Sequence, residues 1–130
     1  MITYQQEFLD TCLEEAKGLI ELHWEEVALN KDAIKLNPDF DRYFELQEAG
    51  YLRIFTARDD GKLVGYFVVL LGNNLHYKDH IFAENDILYL HQDYRKGLTG
   101  YKLIKMAESW LEQDGVSVLK INTKVHKPFD

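Results

Sequence analysis

The spacing of apolar residues changes twice along the chain. From residue 5 to residue 29, Phe8, Cys12, Ala16, Leu19, Ile20, His23 and Val27 recur at intervals of three and four, the period of a helix with one face turned inward. Glu14, Glu15, Glu21, Glu25 and Glu26 fall mostly off that stripe. In the segment LNPDF, Asn37 has the short polar side chain of an N-cap, and Pro38 the fixed φ of a first helical residue. Phe40, Tyr43, Phe44 and Gln47 then predict a second, short helix that Gly50 ends.

Beyond Gly50 the helical spacing stops. YLRIFTA and LVGYFVVLL, rich in β-branched and aromatic residues, flank the turn RDDGK, so residues 51–71 predict an antiparallel hairpin. Gly72-Asn73-Asn74 breaks it. LHYKDHIF reads either as an extended loop or as an edge strand, and NDILYLHQ as a strand. The helical period returns in YRKGLTGYKLIKMAESWL, where Leu103, Ile104, Ala107, Trp110 and Leu111 predict the buried stripe of a helix from about Thr99 to Gln113. Asp114-Gly115 closes it, and VSVLKIN is a last strand. The order is helix, helix, strand, strand, strand, helix, strand, without repeats or linkers. It predicts one α/β domain over residues 1–130 with a mainly antiparallel mixed sheet. The strand–helix–strand unit from Ile87 to Ile121 should be parallel.

Composition narrows the class. Of the 130 residues 46% are hydrophobic, enough for a core, but no run approaches the ~20 apolar residues of a membrane span. The opening MITYQQEF lacks the basic and apolar regions of a signal peptide. Cys12 is the only cysteine, which excludes an intramolecular disulfide and a cysteine-rich metal site and suits a reducing, cytoplasmic location. His76, His80 and His91 do not fall at helical metal-ligand spacing, so no metal is expected. The net charge of −7 is uneven: residues 1–60 hold 14 acids and 6 bases, residues 61–130 hold 8 acids and 9 bases. An acidic first half makes nucleic acid a poor partner.

The basic residues of the second half gather at one helix start. Arg95, Lys96, Gly97 and Gly100 sit at the beginning of the predicted helix. A helix N-terminus has unpaired N–H groups and partial positive charge, and glycine lets a phosphate approach the backbone. The same residues also fit an ordinary solvated helix start. In α/β sheets, ligands bind at the carboxyl ends of the strands, where such a helix start points.

With this order of elements, Arg95-Lys96-Gly97-Leu98-Thr99-Gly100 resembles the signature of the GCN5-related N-acetyltransferases: Arg or Gln, two variable residues, Gly, one variable residue, Gly or Ala. Leu98 stands where the first signature glycine belongs, and Gly97 comes one place early. Within that family LHYKDHIFAENDILYLHQDYRKG looks most like short acetyltransferases of tailed phages. The likeness covers residues 5–125 in topology and 75–123 in motif. It implies acetyl-CoA as cofactor. Lys96, Gly97, Leu98, Thr99, Gly100 and Tyr101 would hold its pyrophosphate by their amides, with charge from Arg95 and Lys96. Leu88, Tyr89 and Leu90 would pair with the pantetheine arm, and Asn122 would touch the cofactor. Asp86, taken as opening the central strand, is the first candidate base and Glu84 the second; His76 and Tyr77 would face the acceptor and relay protons. Asp86 also fits a turn cap and Glu84 a solvated carboxylate.

Family members usually continue past the last strand into another helix and two strands, commonly with a tyrosine that protonates the leaving thiolate. This chain stops at NTKVHKPFD. On that expectation a second copy or a partner chain completes the sheet edge. The implied function is transfer of an acetyl group from acetyl-CoA to an amine of a small molecule or protein. The acidic segment 25–41 would border a cationic acceptor. Leu98 and the short end equally suit a catalytically inactive acetyltransferase fold used for protein–protein interaction with a host or assembly partner. An acyl-CoA-binding regulator without turnover is the third reading.

Overall fold

The computed structural model describes residues 1–27 and 37–122. Its elements are β1 (Ile2–Glu7), α1 (Leu9–Val27), α2 (Phe40–Glu48), β2 (Leu52–Asp59), β3 (Lys62–Asn73), β4 (Ile81–Leu90), one 3-10 turn (Gln92–Tyr94), α3 (Thr99–Gln113) and β5 (Val116–Lys120). The five strands lie side by side in chain order. β1 to β4 are antiparallel, and β5 runs parallel to β4. This is the mixed α/β sheet that the apolar pattern predicts, with one strand more.

The extra strand is β1. The helix predicted from residue 5 instead starts at Leu9, because Ile2 and Tyr4 alternate onto one face of the sheet while Gln5 and Glu7 take the other. Phe8 is 61% exposed, and Leu9 takes its place on the inward stripe with Cys12, Ala16 and Leu19. The cap of α2 also moves. Asp39, not Asn37, accepts the Arg42 amide at 3.0 Å, so Pro38 lies outside the helix. Gly50, at φ +85°, does end it. α1 is described as far as Val27, and residues 28–36, including the predicted end of the first helix at 29, lie outside the described residues.

Asp60 and Gly61, both at positive φ, make the tight turn between β2 and β3. Gly72 does not break β3 but pairs with Phe82, and LHYKDHIF divides into a loop over 74–80 and the start of β4. α3 has the predicted bounds, yet Trp110 is 45% exposed rather than part of its stripe.

The strands alternate side chains between two layers. Phe55, Phe67, Val69 and Ala83 pack against Leu103, Ala107 and Leu111 of α3. Ile54, Leu63, Tyr66, Val68 and Tyr89 pack against Leu9, Cys12, Ala16 and Leu19 of α1, with α2 alongside. No helix among the described residues is long and apolar enough to cross a membrane.

Candidate functional site

β4 and β5 pair only from Ile81↔Val116 to Glu84↔Lys120, and β4 then runs on to Leu90 without a paired strand on that side among the described residues. Two devices part the strands. Opposite Val68 and Val69 of β3 stand Ile87 and Asn85, so Asp86 is the unpaired residue of a bulge. A bulge bends its strand and interrupts the alternation of side chains. Here it turns both Asp86 and Ile87 to the α1/α2 face. Asn85 is the second device. Its side-chain amide accepts the Asn122 N–H at 2.6 Å and donates to the Asn122 carbonyl at 3.2 Å, replacing the next rung of the ladder.

The open edge of β4 carries backbone groups. The His91 amide donates to the Val64 carbonyl at 2.8 Å, toward β3. Alternation then points the N–H and C=O of Leu88 and Leu90 away from β3, into the gap. The Leu90 carbonyl accepts Arg95 Nε at 2.8 Å. The N–H and C=O of Leu88 and the N–H of Leu90 have no partner among the described residues. Tyr89 lies on the α1/α2 face, buried, stacked on His23 at 4.7 Å.

The turn into α3 borders the same gap. None of the amides of Lys96, Gly97, Leu98, Thr99, Gly100 and Tyr101 has an acceptor among the described residues; the next one, of Lys102, bonds Leu98. Gly97 takes φ +91°, the conformation for which glycine is suited. Leu98 occupies the N-cap without a side-chain bond and is 62% exposed, so its bulk does not fill the turn. At Gly100 a Cβ would meet only Leu90 Cδ2, at 3.7 Å; the protein's own packing does not demand glycine there. These features fit a diphosphate: successive free donors at a helix start, with room at Gly100. Lys96 is exposed and has no ion pair among the described residues. Arg95 is engaged. Its Nη2 bonds Glu26 at 2.5 Å, and its guanidinium lies 5.4 Å from the Tyr89 ring centre.

Asp86 is not at the start of its strand but in the middle, where its Oδ2 accepts the Tyr43 hydroxyl at 2.5 Å. Burial and this carboxylate push the Tyr43 hydroxyl far above its ordinary pKa, so it remains a donor. Glu84 accepts from the Asn122 side chain and so holds the far wall of the gap. His76 and Tyr77 are not brought to this place. They lie in the loop before β4, and the five residues from Ile81 to Asp86 span roughly 17 Å at strand rise. Tyr77 stacks on Phe82 instead.

Beside Tyr43 the α1/α2 face holds a cavity of about 410 Å³, walled by Leu13, Ile20, Trp24, Phe40, Tyr66 and Ile87 among others. Tyr66 is 4% exposed, and its hydroxyl has no hydrogen-bond partner among the described residues. Burial raises its pKa as well. Cys12, in the same wall, is no nucleophile: burial pushes its thiol up to about 11. Sequence reasoning missed Tyr43, Tyr66, Asn85 and Glu26. Tyr43 is revealed by the bulge meeting α2, Tyr66 by the cavity wall, and Asn85 by its bonds to Asn122 beyond β5; no local motif marks these or Glu26.

A family model described as "Acetyltransferase (GNAT) family" matches residues 16–128. Among curated proteins none matches the sequence. Solved structures share the fold. One is an aminoglycoside acetyltransferase from an uncultured soil metagenomic sample, in complex with sisomicin, at TM-score 0.75 and 14% identity over 95% of this chain and 78% of its own. Another is a ribosomal-protein-alanine N-acetyltransferase from Brucella melitensis biovar Abortus, at TM-score 0.71 and 19% identity over 95% and 81%. A third is the aminoglycoside N-acetyltransferase AAC(6')-Iy in complex with CoA, at TM-score 0.67 and 16% identity over 94% and 79%.

Proposed function

The chain belongs to the GNAT acetyltransferase family, and from that premise we propose that it transfers an acetyl group from acetyl-CoA to an amine. The observation that carries this reading is the run of six amides from Lys96 to Tyr101 without acceptors among the described residues, beside the edge of β4 that no described strand pairs. When bound, acetyl-CoA supplies the acetyl group as an activated thioester.

The amides of residues 96–101 and the Lys96 ammonium grip its diphosphate. Leu88 would offer its edge N–H and C=O groups to the peptide-like arm, as a neighbouring strand would. Asp86 Oδ1 would take the proton of the acceptor amine as nitrogen attacks the thioester carbonyl, the C–S bond would break, and the leaving thiolate would take a proton from solvent, while Tyr43 Oη holds Oδ2 and fixes the carboxylate. The Leu90 N–H faces the gap and stabilises oxygen charge developing there. Asn122, tied to Asn85 and Glu84, keeps β5 apart so the arm can enter.

Calorimetric titration with acetyl-CoA tests the cradle. Gly100→Asp adds a side chain that meets only ordinary contact and suits a helix first turn, so it should fold as the parent does yet lose cofactor binding. Asp86→Asn should leave cofactor affinity within about twofold and lower kcat by roughly 10²–10⁴, the range of general base catalysis, read as thiol release with a panel of amines. One observation favours the non-catalytic reading: Arg95 is held by Glu26 and the Leu90 carbonyl. Absence of binding at millimolar acetyl-CoA would decide for that interaction module.

A further inference from the structure

Arg95 directly precedes the six amides of residues 96–101, yet its side chain is engaged elsewhere. Its Nε donates to the Leu90 carbonyl at 2.8 Å, its Nη2 donates to Glu26 Oε2 at 2.5 Å, and its guanidinium lies 5.4 Å from the centre of the Tyr89 ring. Leu90 and Tyr89 belong to β4, whereas Glu26 stands near the described end of α1, 69 residues away in sequence. The ion pair is partly in water: Arg95 keeps 45% and Glu26 34% of its side-chain surface. The pair that braces the β1–β2 end is built otherwise, with Arg58 at 12% and Glu7 at 8%. An exposed pair adds little to a fold and exchanges readily for another anion.

Resting on the acetyltransferase reading, we propose that Glu26 stands in for the diphosphate and that Arg95 is a latch with two positions. In the closed position Arg95 covers the Leu90 carbonyl, and Glu26 holds it there. In the open position its guanidinium pairs with phosphate at the start of α3, and the Leu90 carbonyl is bare for the peptide-like arm. A carboxylate and a phosphate both want the forked N–H donors of a guanidinium, and the side chain serves one of them at a time. Diphosphate and arm each favour the open position, although they touch different groups. A two-state element that both bias couples them, so each tightens the other. Glu26 acts through Arg95 and is a positioning residue.

The test reads binding and the arginine itself, not turnover. The probes are ADP for the diphosphate, pantetheine for the arm and acetyl-CoA for both. Isotopic labelling of the arginine nitrogens gives each side-chain Nε–H a resonance, and the one lost in Arg95→Lys belongs to Arg95. In the free protein this N–H should exchange slowly with water, because the Leu90 carbonyl holds it. ADP and acetyl-CoA should each shift the resonance. Saturating ADP should tighten pantetheine about fivefold, the worth of a favourable exposed ion pair. Glu26→Gln keeps the side chain's size and removes the competing charge. It should bind ADP about fivefold more tightly than the parent and reduce the mutual tightening to within about twofold, since both ligands are relieved of the same closed state. Glu21→Gln, an equal loss of charge at an exposed position of α1, should move ADP affinity by less than about twofold.

The proposal is overturned if acetyl-CoA binds with the Arg95 resonance unmoved, if Glu26→Gln binds ADP no more tightly than Glu21→Gln does, or if ADP and pantetheine bind independently in the parent. Each of those results leaves the transferase reading standing, because acetyl-CoA affinity and thiol release are measured separately. Failure of acetyl-CoA to bind either the parent or Glu26→Gln overturns both. Binding that appears only in Glu26→Gln supports the latch, since the closed position then shuts the cofactor out.

Discussion

The two faces of one sheet are finished differently. Toward α3, Phe55, Phe67, Val69, Ala83, Leu103 and Ala107 are 0% exposed. Toward α1 and α2, Ile54, Leu63, Tyr66 and Val68 of the same sheet are 4–8% exposed and border the 410 Å³ cavity. Their polar atoms differ as well. At the β1–β2 end of that second face Glu7 receives Arg58 Nε at 2.8 Å, Arg58 Nη2 at 2.9 Å and the Thr56 hydroxyl, while Arg58 Nη1 bonds Glu15. On β3 the Tyr66 hydroxyl has no such partner among the described residues. The contrast separates groups that hold the fold from a group that does not. A fully packed face and a closed ion network stabilise the domain by themselves. An unmatched buried polar atom costs stability.

Paired truncations would break this contrast most directly. Leu103→Ala on the α3 face should cost about 4 kcal/mol, near the top of the range for buried leucine, because close-packed neighbours cannot collapse into the hole. Leu63→Ala in the cavity wall should cost about 2 kcal/mol, since its surroundings already have room to relax. Equal losses in urea unfolding would show that the faces are packed alike.

The ion network gives the next largest effect. Burial alone would raise the Glu7 carboxyl, but hydrogen bonds from Arg58, Thr56 and Gln5 outweigh it and hold the pKa at about 2 against an ordinary 4.5. A carboxyl depressed in the folded state contributes stability above its unfolded pKa and loses it as pH falls toward the folded one. Glu7→Gln should therefore cost roughly 3 kcal/mol at pH 7. The difference from the parent in Tm should shrink between about pH 4.5 and 2. A gap independent of pH would mean the carboxylate is not the source.

The smallest change sharpens the comparison from the other side. Tyr66→Phe removes the orphaned hydroxyl and should leave stability unchanged or raise it by up to about 1 kcal/mol. A loss above about 1 kcal/mol would reveal a partner for that hydroxyl within the protein.

How far these features were legible in the sequence follows from their range. α3 was read to its exact residues because its period, Asp114-Gly115 and the strands around it all act locally. The β2–β3 turn was legible for the same reason. β1 was not, since six residues of weak alternation ran directly into a strong helical stripe. The α2 cap moved by two residues because Asn37 and Asp39 are both competent and packing chose between them. In the candidate site, the glycines and the helix start were visible as a motif. The bulge at Asp86 was not: NDILYLHQ carries no mark of the extra residue, which is defined only by its register against β3. The position of His76 and Tyr77 relative to Asp86 was not legible either, because distance along β4 depends on where the strand begins, and it begins at Ile81.

The Asn85–Asn122 clip has a consequence for how anything reaches the gap. A flexible side-chain amide, standing in for a peptide group, sets the spacing of the two strands and stops the ladder before it crosses the opening. An entering extended chain finds vacant rungs ready-made and tears none away. Among the described residues, the group of that edge already engaged is the Leu90 carbonyl, which the Arg95 guanidinium holds; on the acetyltransferase proposal, a side-chain rotation would free it without unzipping the sheet.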